Sequence, residues 1–418
     1  MKNPSIRFFF GLGYLIFLLS CKDLKERSSD LSATDNSGAS QGQVFLQGVD
    51  PGVTKLFRGN TQPIAEWEPL STVIITGDIV NQRFGFELLQ KLVLTGLRGI
   101  IFVGVNNPEL QKKYGNFVDT KAPIQFIGIS TSANKDHPSL TQRTHTVWTR
   151  DYGPIMARGI DGSPKMFNFR YYEYRDLDNQ FNTALLESLK TKVHILPVGM
   201  NFEGGNFMTD GETCIYSDAV RQYHGYNLQD VNAIFRDYMG CKKVLTTPAV
   251  AHEATGHVDM VMKFVRKNEV VLAKLFRNPN PTQEEHTLNL EVKKSLDQIH
   301  DSLVKAGIKV TRIPMPAVRI VNGNPVFFSY TNSLISNGHI IMPVYGTDID
   351  GNQALNAQNI YKSFNYTVHT VDSREIILKG GAVHCSTMQI PSYKQAWHDH
   401  FYDELRRRRL LHSKDKVN

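Results

Sequence analysis

Short runs of β-branched and aromatic residues alternate along this chain with stretches whose apolar positions recur every three or four residues. "STVIITG" (71–77), "IIFVGV" (100–105), "IQFIGIS" (124–130), "KMFNFRYY" (165–172), "VHILPV" (193–198), "VVLAKL" (270–275), "HIIMPVYG" (339–346) and "EIILKG" (375–380) are bounded by Gly, Pro or polar turns and predict strands. "GFELLQKLVLTGLRG" (85–99), "FNTALLESLKTK" (181–192), "NLQDVNAIFRDYMG" (227–240) and "NLEVKKSLDQIHDSLVKAG" (289–307) carry helical spacing and mostly end at Gly or Lys, as helices do. The chain therefore reads as α/β. Some intervals between helices are too long for one strand: "VHILPVGMNFEGGNFMTDGETCIYS" (193–217) and "GHVDMVMKFVRKNEVVLAKL" (256–275) each read as a hairpin-like pair. A loose β, β, α, β unit thus recurs roughly every 70 residues. Five such units would fill the chain beyond its first 60 residues, and periodicity alone leaves open whether they close into a ring or stack in one sheet.

The first 60 residues break the pattern. Lys2 and Arg7 lead into an apolar run from Phe8 to Leu19, too short to cross a bilayer core but suited to an export signal. Its end, "LLSC", looks like a bacterial lipobox, with Leu18, Leu19 and Ser20 ahead of Cys21 as the acylated first residue of the mature protein. A plain signal peptide or a short core helix is the alternative. From Lys22 to about Asn60, Ser, Asp, Gly, Gln and Lys dominate without an apolar period, which predicts a flexible tether. The expected organisation is a signal peptide over 1–20, a lipid-anchored tether over 21–60, the main α/β domain over 61–395 and a C-terminal helix with a basic tail over 396–418. No second long apolar run follows, so the membrane is expected as a partner only through Cys21, in a bacterial envelope, periplasmic or surface-exposed.

Net charge adds little to this picture. Of the formal +7, residues 406–418, "RRRRLLHSKDKVN", hold six Lys or Arg against one Asp, hence +5, which leaves about +2 for the rest. A nucleic-acid partner needs a basic face across the domain, and none is visible. With Cys21 lipidated, Cys214, Cys241 and Cys385 remain, an odd number that leaves at least one free thiol. Cys214 and Cys241 pair or stand as two separate buried thiols. No C-x-x-C spacing suggests zinc, and no metal or organic cofactor is expected.

Residues of catalytic type gather where strands end: "VWTRDYGP" (147–154), "NFEGGNFMTDG" (201–211), "ATGHVDM" (254–260), "SYTNS" (329–333) and "GGAVHCSTMQIP" (380–391). If Val258 lies in a strand, His257 and Asp259 project to one face and line one pocket wall, and a metal pair is the competing reading. His384 adjoins Cys385, but neighbours in an extended segment face opposite ways, so His257 is the better proton partner for the thiol. A lone cysteine after two glycines could also be a packed small hydrophobe. Asp151 and Asp259 would raise the pKa of a thiol between them, an arrangement that makes sense for a cationic substrate. A guanidinium fits: two carboxylates grip its edges, the sulfur faces its carbon, and its charge favours the thiolate.

"AEWEP" (65–69), "WTRDYGP", "EGGNFMTDG", "GHVDMVMKFV", "YTN" and "GGAVHCSTMQIP" occur in the order found in the guanidine-modifying (pentein) superfamily. Over residues 61 to 395 the chain most resembles the Porphyromonas-type peptidylarginine deiminase and agmatine deiminase family. The resemblance implies a five-bladed α/β-propeller of pseudo-symmetric ββαβ units around a central catalytic channel. It implies Cys385 as nucleophile, His257 as general acid/base, Asp151 and Asp259 as the guanidinium clamp, and Glu203 as a residue that orients His257 or holds substrate. Trp148 and Asn332 resemble substrate-contacting positions, and Arg150 a partner of the acids. Some members read a substrate carboxylate with arginines after the "RDYGP" motif, where this chain has Arg170 and Arg175, five apart and on opposite faces of an unbroken strand, with Glu173 between them. The implied reaction converts peptidylarginine to peptidylcitrulline and ammonia through a thiouronium intermediate. Agmatine, giving N-carbamoylputrescine, or another small guanidine is the alternative substrate. A propeller without activity, serving as a surface-binding lipoprotein, is a third reading, opposed by the presence of Cys385, His257, Asp151 and Asp259 together.

Overall fold

The computed structural model describes residues 60–106, 108–110, 112, 124–129, 144–189, 193–276, 278 and 280–393. The expected signal peptide, Cys21, the tether as far as residue 59, and the C-terminal helix and basic tail lie outside the described residues. Along the chain, β1 (Thr61–Pro63) is followed by β2 (Leu70–Thr76), α1 (Arg83–Leu92), β3 (Gly99–Val103) and β4 (Gln125–Ile129). Next come the single turn α2 (Thr149–Tyr152), β5 (Ile155–Gly159), β6 (Pro164–Arg170), α3 (Asp176–Leu189) and β7 (His194–Asn201). A third stretch holds β8 (Met208–Thr209), β9 (Thr213–Ser217), α4 (Leu228–Ala233) and β10 (Lys243–Thr247). A fourth holds β11 (Met262–Arg266), β12 (Glu269–Leu275), α5 (Gln283–Lys305) and β13 (Lys309–Met315). After the hairpin β14 (Arg319–Val321) and β15 (Asn324–Val326) come β16 (Leu334–Ser336), β17 (His339–Val344), α6 (Gln353–Ser363), β18 (Thr367–Asp372) and β19 (Met388–Pro391).

One local plan repeats through these strands. In four sheets an antiparallel pair is followed by a helix and a strand parallel to the second member: β5, β6 and β7; β8, β9 and β10; β11, β12 and β13; β16, β17 and β18. The fifth takes its first strand from the far end of the chain. β19 runs antiparallel to β2, which after α1 pairs in parallel with β3, and β3 with β4. Each parallel neighbour requires a crossover, and the helix that supplies it covers the sheet. Covered on both faces, β2 and β3 are buried at every residue, which is why both read as continuous apolar runs.

The longest helix shows how pattern becomes packing. Thr282 and Glu285 form a reciprocal capping box at the start of α5, and Leu288, Val292, Leu296, Ile299 and Leu303 recur on its buried face. Each contributes roughly 1.5–3 kcal/mol by leaving water. Elsewhere, Cys214 on β9 and Cys241 just ahead of β10 are joined in a disulfide with a Cα–Cα distance of 5.8 Å, which resolves the open question of their pairing.

Several expected elements differ. "EIILKG" is a 3-10 turn over Ile377–Lys379, because β18 already occupies the place beside β17 and Gly380, at φ 102°, turns the chain away. In the 193–217 stretch β7 joins the sheet of β6, and the hairpin is β8 with β9. The helical stretch from 227 changes to a π-helix over Ile234–Tyr238. Helix α6 escaped sequence reading because only Ala357 and Tyr361 are buried along it, too few for an apolar period.

Candidate active site

Five segments, each leading into the antiparallel pair of one of the five repeating units, carry the chemical groups: Trp148–Tyr152 ahead of β5, Glu203–Asn206 ahead of β8, His257–Met260 ahead of β11, Ser329–Ser333 ahead of β16, and Gly381–Thr387 ahead of β19. They are bonded to one another. The Arg150 amide donates to the Cys385 carbonyl (3.1 Å) and the Gly205 amide to Asp151 Oδ1 (3.2 Å). The Asn332 amide oxygen accepts from the backbone N–H groups of Ala382, His384 and Cys385 at 3.0–3.2 Å, and its Nδ2 donates to Cys385 Sγ (3.0 Å). Asn332, expected at the substrate, is fully buried, as Asp259 is, and binds both the cysteine turn and the thiol. Trp148 flanks the thiol across Gly381: a Cβ at that glycine would stand 2.8 Å from Trp148 Cζ3 and 3.0 Å from Sγ.

Cys385 is buried among anions. Its thiol faces Asp259 Oδ2 at 3.5 Å. Burial, then Asp259 and Asp151, push its pKa well above the usual thiol value. Asp259 has the opposite shift: burial raises its pKa, but the hydrogen bond and charge of His384, 2.7 Å away, outweigh that and leave it low. Its other oxygen, Oδ1, is buried without a hydrogen-bond partner among the described residues. Such an acceptor is costly to leave unmade, so it marks where an external donor would be favourable.

His257 lies across the site. Its Nε2 is 2.6 Å from Glu203 Oε2, and its Nδ1 is 3.7 Å from Asp151 Oδ1, beyond hydrogen-bond length. Burial lowers its pKa, but Glu203, then Asp151, and also Asp259 outweigh this and hold it up at about 10. Burial raises the pKa of Asp151; the His257 cation opposes that, Glu203 and Asp259 add to it, and the result is about 8. Glu203 is kept low because His257, with a hydrogen bond from Tyr172, outweighs its burial. Glu203 thus has the hydrogen bond that its expected role of orienting His257 requires.

The segment carrying His257 is not a strand. Gly256 has φ +66°, His257 is extended, and Val258–Met260 form a 3-10 turn, with the His257 amide donating to the buried Glu253. That turn, rather than strand alternation, brings His257 and Asp259 into one site. Nor is the cysteine segment extended: Ser386 N bonds Ala382 O, and Thr387 N bonds His384 O. His384 is turned onto Asp259 and Glu66. Glu66 and Lys263 were missed by sequence reading. Both stood in noted motifs without a role, yet Lys263 is fully buried and donates to Glu66 (2.7 Å).

The two arginines after "RDYGP" are engaged elsewhere. Strand β6 ends at Arg170, whose exposed side chain pairs with Glu173 at 3.6 Å. Arg175 lies beyond a turn at Tyr172 and places Nε and Nη2 on the fully buried Asp178 at 2.8 and 2.7 Å. No group of three or more His, Cys, Asp or Glu among the described residues is placed to hold a metal ion.

Comparison with known proteins agrees with this geometry. The sequence model of the family described as Porphyromonas-type peptidyl-arginine deiminase matches residues 120–391. A Photobacterium profundum protein provisionally named agmatine deiminase is 26% identical over 288 residues, 60% of this chain and 77% of that relative. Among solved structures, a C. jejuni agmatine deiminase, in a cysteine-to-serine form with substrate bound, gives a TM-score of 0.61 at 18% identity over 80% of this chain and 97% of its own. The agmatine deiminase of Enterococcus faecalis gives 0.58 at 20% identity over 86% and 100%. These likenesses show a shared mixed α/β fold.

Proposed function

The chain belongs to the Porphyromonas-type peptidyl-arginine deiminase family, and from that premise we propose that it hydrolyses a substrate guanidinium to a ureido group and ammonia, with Cys385 as nucleophile. The observation that carries this reading is the buried thiol beside Asp259, whose second oxygen has no partner, facing a site that also holds Asp151 and the His257 cation. An incoming guanidinium would donate N–H groups to Asp259 Oδ1 and Asp151, and its positive charge would favour loss of the Cys385 proton to solvent. The thiolate then attacks the guanidinium carbon. His257, protonated, gives its proton to the departing nitrogen, which leaves as ammonia, and a thiouronium remains on sulfur. Neutral His257 takes a proton from water as the hydroxide adds to the same carbon, and collapse of that adduct releases the ureido product, with its hydroxyl proton returning to the sulfur. Glu203 stabilises His257 whenever it is protonated, and Trp148 walls the thiol.

The finer architecture we propose is a five-bladed propeller, in which the five ββαβ units surround a channel holding the five site segments. Supporting it are the repeated strand order and the recruitment of β19 into the sheet of β2. We likewise propose the division into an acylated Cys21, a tether over 21–60, a deiminase domain over 61–395 and a basic C-terminal helix over 396–418, with the protein at the bacterial envelope. The "LLSC" sequence and the Cys214–Cys241 disulfide, a bond that persists in oxidising compartments, support export.

An exported enzyme meets peptides, so arginine in a peptide is the first substrate we propose. The engagement of Arg170 with Glu173 and Arg175 with Asp178 favours internal arginine over a terminal carboxylate. The agmatine deiminase names of relatives favour agmatine as the second. Ureido-product formation from agmatine, free arginine, and peptides with internal or C-terminal arginine separates these. Product from none of them would overturn the deiminase reading, and agmatine preferred tenfold or more in kcat/KM would replace the peptide reading.

A further inference from the structure

Glu66, in the "AEWEP" stretch between β1 and β2, takes no part in the chemistry above, yet it is the hub of a buried ionic chain. Its Oε2 accepts from Lys263 Nζ (2.7 Å), its Oε1 is 2.7 Å from His384 Nε2, and Arg150 Nη1 is 3.9 Å from the same Oε1. His384 Nδ1 is 2.7 Å from Asp259 Oδ2, the oxygen that faces the thiol. Lys263, His384 and Asp259 are fully buried.

Both imidazole nitrogens of His384 thus lie at hydrogen-bond distance from a carboxylate oxygen. Glu66 and Asp259 are both held low by their neighbouring cations and so are ionised; against an ionised carboxylate a nitrogen without a proton would set lone pair against lone pair, so this geometry calls for a proton on each nitrogen. A ring held in this way cannot exchange a proton without giving up one of its two charge-assisted bonds. We infer that Glu66 and His384 are positioning residues: Glu66 keeps His384 doubly protonated, and His384 turns Asp259 so that Oδ2 faces the thiol and Oδ1 is left for the substrate. The charged and titratable groups around them are Lys263 from β11, Arg150 and Asp151 from α2, Glu253 and His257 from the segment ahead of β11, Cys385 beside His384, Tyr361 from α6 and Tyr366 just ahead of β18. The inference rests on the deiminase reading for its kinetic consequences, but the protonation of His384 can be observed without turnover.

Kinetics against pH with Glu66→Gln and Glu66→Asp test it. Glu66→Gln is expected to raise KM about tenfold with kcat changed less than about threefold, because Asp259 loses its fixed orientation and its neighbouring cation. The acid limb of kcat/KM is expected to move to higher pH, and Glu66→Asp to recover part of both effects. Glu66 is itself an anion, so if it acted only through its own charge the limb would move to lower pH. That direction, a wild-type KM and pH profile in folded Glu66→Gln, or a loss of kcat at unchanged KM would each overturn the inference. Should Glu66→Gln fail to melt cooperatively, ¹⁵N-histidine NMR of the wild type decides: the resonances absent from His384→Gln should show protons on both nitrogens at neutral pH, and a single protonated nitrogen would overturn the inference. If the wild type makes no ureido product from any guanidine, the functional reading falls while the NMR result still judges the His384 bridge.

Discussion

Two histidines stand among the carboxylates of this site, and they differ in their second nitrogen. His384 has both nitrogens 2.7 Å from carboxylate oxygens, on Glu66 and Asp259. His257 has one nitrogen on Glu203 at 2.6 Å, and the other, 3.7 Å from Asp151, makes no hydrogen bond. Proton transfer needs a nitrogen that is not already committed to a charge-assisted bond, so the proposed mechanism gives acid–base work to His257 even though His384 is the covalent neighbour of the thiol. Adjacency in sequence therefore says less about catalysis than hydrogen-bond occupancy does.

The largest expected effect separates the two rings directly. His257→Gln should lower kcat by about 10²–10⁴ and accumulate a cysteine adduct visible by intact mass, because the step that activates water is lost. His384→Gln should act mainly on KM. If His384→Gln proves the more damaging to kcat, the distinction drawn from the second nitrogen is wrong.

Next in size are the two acids. Asp259→Asn and Asp151→Asn should each cost about 2–5 kcal/mol in kcat/KM, as loss of a charged partner from a buried cation does. Asp259→Asn should be the worse, since it also leaves the His384 cation short of a carboxylate. Steady-state rates within about threefold of each other would erase the asymmetry between the two sides of the site.

The third prediction concerns protons. With its pKa raised to about 8, Asp151 carries a proton in the empty site at neutral pH and must lose it to grip a cation. In Cys385→Ala, which removes thiol ionisation, affinity for a guanidine measured by calorimetry should therefore rise with pH, by up to about tenfold per unit, and level off above about 8. Binding should be accompanied by proton release below that point. Asp151→Asn should bind more weakly and without this pH dependence, and a slope that survives the substitution would assign the proton to another group.

The smallest effects belong to the arginines. Arg175→Ala should reduce unfolding stability by roughly 1.5–3 kcal/mol, because the fully buried Asp178 loses its bond to a cation. Arg170→Ala, an exposed pair, should change stability by less than about 1 kcal/mol. Neither should alter kcat/KM more than about twofold on any arginine peptide. A selective loss on C-terminal arginine would show that one of them leaves its carboxylate to read the substrate.

Much of the fold was legible because its determinants are local. The strands around 71–77 and 100–105 and the helix within 289–307 declare themselves by apolar period and by glycine ends, and the recurring unit follows from their order. "EIILKG" misled for the same reason: its residues suit a strand, but β18 had already taken the ladder beside β17. The site divides likewise. Cys385, His257, Asp151, Asp259 and Glu203 stand in motifs whose residue types suggest their chemistry. For Asn332 the motif did not reveal that its amide also holds the cysteine turn. Lys263 and Glu66 gave no signal that either would be buried.

By itself the sequence determined which residue types this protein has for a guanidinium: a thiol, two acids, an imidazole and a third carboxylate, each beside a strand start where backbone turns. What only the tertiary structure decided is how they are paired. Glu203 and His257 are 54 residues apart, Asp259 and His384 are 125 apart, and Glu66 and His384 are 318 apart. Local pattern sets the direction of a side chain relative to its own strand or turn. Hydrogen-bond partners depend on how separate units are brought face to face, and burial of the assembled groups then fixes which of them carry charge.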